Sequence, residues 1–154
     1  MGNPGRQSKV FRLRFKNPRY NRIVRLNTET IARNMGFSED QVFDITLAVE
    51  EAYTNAIEHG GKTARECLEL EIIYRQLPDR LVISIKDSGC GFDGSVADLS
   101  GQASDVINDR GRGLGLILHL SDHAEIISEP GSGTTIRITK FLIPPVVPES
   151  EVRP

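Results

Sequence analysis

The spacing of hydrophobic residues changes several times along the first half of the chain, and each spacing predicts a different element. Residues 11–16 alternate between apolar and basic side chains, which is typical of a strand with one buried and one polar face. Residues 18–35 carry apolar side chains at mixed helical spacing, and Gly36 is expected to end that helix. Ser38 and Gln41 form a Ser-x-x-Gln signature, which predicts a second helix that runs to about residue 59.

The second half of the chain is richer in strand patterns. We expect strands at 66–76, 80–87, 124–128 and 134–141, a hairpin turn at 77–79 and a helix at 114–122. The segment 94–110 is different, because it combines many Gly, Ser, Asp and Asn residues with few apolar ones. A long loop of this kind inside a small domain is usually functional or mobile, so we expect a lid here.

These elements predict the fold class and the domain organisation. The expected fold is α+β, a two-layer sandwich of a mixed, mainly antiparallel sheet with helices on one face. The chain of 154 residues is long enough for one domain with a substantial core. We expect this domain to cover residues 8–142, with flexible termini at residues 1–7 and at the proline-rich residues 143–154.

Composition and charge argue against several classes of protein. No apolar run approaches the roughly 20 residues of a membrane span, and the N-terminus lacks the apolar core of a signal peptide. The two cysteines, Cys67 and Cys90, form no disulfide framework, so we expect a cytoplasmic protein with no membrane contact. A net charge of −2 argues against general nucleic-acid binding.

The predicted second helix carries a carboxylate and a carboxamide four residues apart. Glu51 and Asn55 therefore project from one face of that helix. An acid beside an amide can hold a hydrated divalent cation and orient a proton acceptor next to it. Glu50 is a rival for the acid, but it points about 100° away from Glu51 around the helix. Taken alone, the pair proves little, because such a pair is more often a solvated polar stripe on an amphipathic helix.

A carboxylate and two glycines end the strand predicted at 80–87. Asp87 is its last residue, and Gly89 and Gly91 follow almost immediately. A carboxylate in this place can accept a hydrogen bond from an exocyclic amine, and the glycines allow a flat ring to approach the backbone. The alternative is a plain turn, since Asp-Ser-Gly is an ordinary turn sequence.

Three glycines surround the start of the predicted third helix. Gly111, Gly113 and Gly115 would leave backbone N–H groups open to an anion at the helix N-terminus. This is not a Walker loop, because no Gly-Lys-Ser/Thr follows. Arg110 and Arg112 flank the first glycine, and either could clamp a terminal phosphate or remain a solvated lid residue.

Taken together, these motifs resemble the GHKL ATPases, the superfamily that includes DNA gyrase and the histidine kinases. The matching patterns are Glu-x-x-x-Asn on a helix, Asp-x-Gly-x-Gly after a strand, Gly-x-Gly-Leu-Gly before a helix, and Gly-Thr-Thr opening the final strand. The run Glu-Ala-Tyr-Thr-Asn-Ala-Ile-Glu-His-Gly and the chain length are similar to the anti-sigma-factor serine/threonine protein kinases. The resemblance covers residues 8–142, and four motifs in the right order make it specific.

The resemblance implies the GHKL (Bergerat) ATP-binding fold and the use of ATP and Mg²⁺. It makes Glu51 the catalytic base, Asn55 the Mg²⁺ ligand and Asp87 the partner of the adenine amino group. The other residues that it assigns to nucleotide binding are Gly89, Gly91, Arg110, Arg112, Gly113, Leu114, Gly115 and Thr134. Thr134 and Thr135 would line the purine side of the pocket.

The implied function is an Mg-ATP-dependent serine/threonine kinase that phosphorylates an anti-anti-sigma-type protein and sequesters a sigma factor, as a homodimer. The alternative is an ATP-gated binding module with little turnover, which would need Asp87 and the glycines but not Glu51. A histidine kinase catalytic domain is less expected, because it would need a dimerisation helix with a phosphoacceptor histidine. A gyrase-like ATPase would need a transducer domain after it.

The first 25 residues contain eight Lys or Arg residues and no acidic residue. Two groups of three stand out, one on the first strand and one on the helix after it: Arg12, Arg14 and Lys16, then Arg19, Arg22 and Arg25. These charges could be the solvated face of an edge strand, where they discourage aggregation. They could also dock an acidic protein surface, which by the resemblance would be a sigma factor or a second protomer.

Overall fold

The computed structural model describes residues 7–16, 19–60, 69–88, 97–98, 112–129 and 131–143. Several predicted features lie outside these ranges, namely Gly89, Gly91, Arg110, Gly111, most of the expected lid and nearly all of both expected flexible termini. The side chain of Arg112 also lies outside the described part.

The described ranges contain three helices and six strands. In chain order they are β1 (Lys9–Phe15), α1 (Asn21–Met35), α2 (Glu39–Gly60), β2 (Leu70–Gln76), β3 (Arg80–Asp87), β4 (Ala97–Asp98), α3 (Arg112–Leu120), β5 (His123–Glu129) and β6 (Gly133–Phe141). The two-residue strand β4 was not predicted, because it falls in the segment that was expected to be a loop. It pairs with β5, which would otherwise form that edge of the described sheet.

Local signals set the boundary between α1 and α2 as the sequence predicted. Gly36 follows α1 with φ of 97°, in the left-handed region that favours glycine, and its N–H donates to the carbonyl of Arg33. Ser38 and Gln41 form the capping box, since each backbone N–H donates to the other side chain at 3.2 Å. The amide of Gln41 also donates to the carbonyl of Phe141, which ties the start of α2 to the end of β6.

The strands form one sheet in the order β1-β2-β3-β6-β5-β4, and every described pair is antiparallel. Alternate residues of the central strands are buried beneath α2 and α3, while α1 packs on α2. These inward residues include Leu70, Ile72, Tyr74, Leu81, Ile83, Ile85, Ala124, Ile126, Ile136 and Ile138. The predicted α+β class is confirmed. None of the described helices is long and apolar enough to cross a membrane.

Strand β1 is an edge strand and is less buried than its sequence pattern predicted. Phe15 is 8% exposed and packs between the rings of Tyr20 and Tyr53. Phe11, by contrast, is 39% exposed, and its one ring contact within the described residues is with Tyr74. The expected face is therefore fully buried only at Phe15, which Tyr20 and Tyr53 cover, and is partly buried at Leu13.

A buried hydrogen bond joins α1 to the sheet. The hydroxyl of Thr28 donates to the carbonyl of Val24 at 2.7 Å, so the hydroxyl of Tyr74 donates to Thr28, also at 2.7 Å. Neither Thr28 nor Tyr74 has measurable solvent exposure. Burial raises the pKa of Tyr74 to about 12, because the phenolate would lose its hydration.

This pKa predicts a loss of stability at alkaline pH. The folded state holds the Tyr74 proton more tightly than the unfolded state, so its contribution is complete below pH 10 and is lost between pH 10 and about 12. In Tyr74→Phe, the free energy of unfolding should fall less steeply over that interval than in the wild type. Urea denaturation at several pH values measures this slope, and equal slopes in the two proteins would contradict the assignment.

Candidate functional site

A close approach between α2 and α3 brings three of the predicted site residues together. Glu51 and Asn55 lie on α2, and Gly113 is the second residue of α3. A Cβ atom placed on Gly113 would lie 3.0 Å from Glu51 Oε2 and 3.3 Å from Asn55 Nδ2. Glycine is therefore what allows the first turn of α3 to reach the carboxylate and the carboxamide.

The carboxamide of Asn55 is buried and incompletely paired. The residue is 8% exposed, and its Nδ2 atom has no hydrogen-bond partner in the described part of the structure. Burying an amide donor without a partner costs roughly 1–3 kcal/mol, so natural structures retain few such groups. An unpaired amide facing the start of α3 makes this region a candidate binding site.

The two adjacent glutamates of α2 face different surroundings. The carboxylate of Glu50 lies 3.8 Å from the guanidinium of Arg25 on α1. The carboxylate of Glu51 instead faces Gly113 at the start of α3. The roughly 100° step around a helix thus separates them, and of the two it is Glu51 that belongs to the candidate site.

Asp87 lies at the end of β3, where it is 5% exposed, on the face of the sheet that the helices cover. Its Oδ1 atom accepts a hydrogen bond from the N–H of Thr134 at 3.3 Å. Gly133 makes this contact possible, because its φ is 83° and a Cβ atom there would lie 2.0 Å from the Asp87 carbonyl oxygen. A side chain at position 133 would push β6 away from Asp87.

Ser128 is a candidate site residue that the sequence motifs did not indicate. Its hydroxyl lies 3.0 Å from the hydroxyl of Thr134, and both residues are buried. The signal was present, since Ser128 continues the inward register of Ala124 and Ile126 with a polar side chain. Thr135, which was expected beside Thr134, belongs to the opposite face of β6, because successive strand residues alternate.

Two other predicted site residues, Leu114 and Gly115, have surroundings that differ from those of Gly113. Leu114 is completely buried and contributes to the core from α3. Gly115 does not approach Glu51 or Asn55; it borders a separate hollow of about 430 Å³ with His119 and His123, and a Cβ atom on it would contact nothing within 4 Å. No group of three potential metal-ligating His, Cys, Asp or Glu side chains occurs in the described ranges.

The basic N-terminal segment is partly neutralised by its neighbours. Arg12 and Arg14 both pair with Glu71 on the adjacent strand, at 3.3 and 2.8 Å. Arg25 pairs with glutamates of α1 and α2. Arg19 precedes the first residue of α1, so the expected repeat of three arginines on one helix is wrong. Arg22 has no ion-pair partner within the described residues.

Comparisons with known proteins show which family the chain belongs to. The sequence model of the histidine kinase-like ATPase domain matches residues 16–140. The serine-protein kinase RsbW of Bacillus licheniformis is 34% identical over 133 residues, which is 81% of this chain and 80% of that protein. The serine-protein kinase RsbW of Bacillus subtilis strain 168 is 33% identical over 131 residues, with the same coverage. The chain therefore belongs to the histidine kinase-like ATPase family, and the family predicted from the motifs is confirmed.

Solved structures support the fold. A structure of the RsbU and RsbW domains of a Mycobacterium tuberculosis protein superposes with a TM-score of 0.59 at 21% identity, covering 87% of this chain and 33% of that one. The histidine kinase domain of a blue-light-activated kinase from Erythrobacter litoralis gives a TM-score of 0.53 at 16% identity, covering 78% and 59%. This chain thus spans only part of either protein.

The contrast between two glycines of α3 gives a direct test of the site. Gly113→Ala should crowd Glu51 and Asn55 and weaken ATP binding by roughly 1–3 kcal/mol, the usual cost of overpacking. Gly115→Ala is the matched control. It raises helix propensity by the same amount, but its methyl group would have no atom within 4 Å. Calorimetric titration with Mg-ATP measures both, and equal affinities would show that the approach of α3 to α2 does not shape the site.

Proposed function

We propose that this protein is an Mg-ATP-dependent serine/threonine protein kinase of the anti-sigma-factor type, which phosphorylates an anti-anti-sigma-type protein and sequesters a sigma factor. The observation that carries the proposal is the meeting of Glu51, Asn55 and Gly113 where α2 approaches α3. A carboxylate, a carboxamide and helix-terminal N–H groups that lie in one small region support the roles of proton acceptor, metal ligand and phosphate-binding turn. The relatives named serine-protein kinase support the same reaction class.

The adenine end of the proposed site is formed by Asp87 and Thr134. The carboxylate of Asp87 accepts the Thr134 N–H through one oxygen, which fixes its orientation. A carboxylate has about four lone-pair sites, so it can also accept a hydrogen bond from the exocyclic amine of adenine. Guanine presents a carbonyl oxygen at the equivalent position, and two acceptors would repel each other. We therefore expect ATP to be preferred over GTP.

The phosphate end of the proposed site lies between α2 and α3. The first N–H groups of α3, unobstructed at Gly113, are suited to phosphate oxygens. Asn55 would hold Mg²⁺ through its carboxamide oxygen, and the ion supplies charge neutralisation of the phosphates when bound. A buried amide beside a carboxylate fits an ion that takes few protein ligands and completes its shell with phosphate and water oxygens.

Glu51 is suited to the transfer step. The hydroxyl oxygen of the protein substrate forms the new bond to the terminal phosphorus, and the bond between that phosphorus and ADP breaks. The hydroxyl proton passes to the Glu51 carboxylate, which faces the start of α3. Phosphoryl transfer depends mainly on positioning and charge neutralisation, so the base is one contribution beside those of Asn55 and α3.

The pair of adjacent glutamates provides the experiment that tests this function. Glu51→Gln should bind ATP almost normally and lose transfer by roughly 100-fold or more, because an amide cannot accept the proton. Glu50→Gln is the matched control, since it makes the same change one residue away, beside Arg25. Transfer of labelled phosphate to the protein substrate measures both. Full transfer in Glu51→Gln would contradict the role of Glu51 as the base. Absence of transfer in the wild type, with ATP still bound, would favour the ATP-gated binding module.

The exposed face of α1 is the proposed partner-binding surface. Arg22 lies beside Ile23 and Leu26, which are 43% and 52% exposed. Basic and apolar side chains on one face suit an acidic partner surface with an apolar centre. By the resemblance this partner is a sigma factor.

The exposed Val10 and Phe11 of edge strand β1 support the proposed homodimer, which sedimentation of the protein alone would test.

Charge reversal tests the partner-binding surface. The double variant Arg19→Glu, Arg22→Glu should bind the sigma factor more slowly at low salt, by roughly 10-fold or more, with unchanged ATP affinity. Arg75→Glu, an exposed reversal on β2, is the control and should leave the association rate nearly unchanged. Stopped-flow association measures the rates. Equal rates in the double variant and the wild type would show that these arginines form only a solvated surface.

A further inference from the structure

Lys140 joins three elements at the end of α3 that is remote from Gly113. Its side chain is only 13% exposed, and its Nζ atom donates to the carbonyl of Leu120, the last residue of α3, at 2.9 Å. The same Nζ lies 3.6 Å from Asp44 of α2 and 4.0 Å from Asp122. One ammonium group thus connects β6, α2 and the C-terminus of α3.

The surroundings of this ammonium group are held firmly. Asp122 donates its N–H to the carbonyl of Thr139 at 3.1 Å, and its Oδ2 atom accepts the N–H of Phe141 at 2.7 Å. The aspartate is therefore fixed to β6 on both sides of Lys140. A cation at this point also interacts favourably with the carbonyl end of the α3 dipole. The contact thus favours a single position of the helix C-terminus.

The two ends of α3 contact two different parts of α2. Its C-terminus meets Asp44 through Lys140, and its N-terminus meets Glu51 and Asn55 through Gly113, so the helices run antiparallel. Seven residues separate Asp44 from Glu51, about 10 Å along a helix, and eleven separate it from Asn55, about 16 Å. The nine residues of α3 span about 12 Å, which matches this interval.

We propose that Lys140 is a positioning residue for the phosphate end of the nucleotide site, an inference that rests on the proposed function. A methyl group on Gly113 would lie 3.0 Å from Glu51 Oε2, closer than an ordinary contact, so a small axial shift of α3 changes the site. A short, buried helix moves as a rigid body, so a restraint at Leu120 is also a restraint at Gly113. Adenine recognition by Asp87 and Thr134 does not depend on α3 in this way.

The test compares ligands with and without phosphates. Lys140→Met keeps most of the side-chain length but removes the donor and the charge. It should weaken Mg-ATP binding roughly fivefold or more while changing adenosine binding less than twofold. Calorimetry measures Mg-ATP and ligand-observed NMR measures adenosine. Lys140→Arg, which can still donate to Leu120, should recover most of the loss.

Controls separate positioning from simple stabilisation. Arg80→Met removes a cation that pairs with Asp79 and lies over the Phe141 ring, and it should leave the ratio of the two affinities unchanged. Asp44→Asn should shift the ratio of Mg-ATP affinity to adenosine affinity in the same direction as Lys140→Met. It replaces Lys140→Met in the test if that variant does not fold. If Lys140→Met and Asp44→Asn lower the melting temperature but leave the ratio at its wild-type value, the proposal is wrong. If the wild type itself fails to bind Mg-ATP, the proposed function is wrong instead.

Discussion

The approach of α3 to α2 is the physical constraint on which the candidate site depends. Gly113 lets the first turn of α3 lie against Glu51 and Asn55, and any side chain there would contact their polar atoms. The apolar face of α3, with Leu114 and Ile117 completely buried, holds the helix in this position. Core packing therefore positions the N–H groups of α3, and this part of the candidate site is built into the fold.

Four buried polar residues mark the two ends of the candidate site. Asn55, Asp87, Ser128 and Thr134 all lie at the ends of otherwise apolar faces, and each is less than 9% exposed. Burying such groups opposes folding unless they find partners, and most of them do so within a few residues of Gly133. Asn55 differs, because its amide stays unpaired within the described residues and faces α3. The arrangement is consistent with a ligand that meets Asn55 at one end and Asp87 at the other.

Much of this arrangement was predictable from short-range patterns. The Ser38–Gln41 box, the left-handed Gly36 and the Glu51–Asn55 spacing each depend on a few neighbouring residues, and the structure places them as expected. The opposite orientation of Thr135 follows from strand alternation and was predictable too. The exposure of Phe11 and the pairs that neutralise Arg12 and Arg14 were not predictable in this way. They depend on which strand is at the edge and which acid lies opposite, and these are set by tertiary packing.

The central claim is that this site transfers the terminal phosphoryl group of ATP to a hydroxyl group of a protein. The most direct measurement is the chemical stability of the label after incubation of the protein and its protein substrate with γ-labelled ATP. A phosphoserine or phosphothreonine ester survives acid and is removed by alkali, and our account predicts this result. A label that is lost in acid and survives alkali would indicate a phosphohistidine, and it would contradict the account.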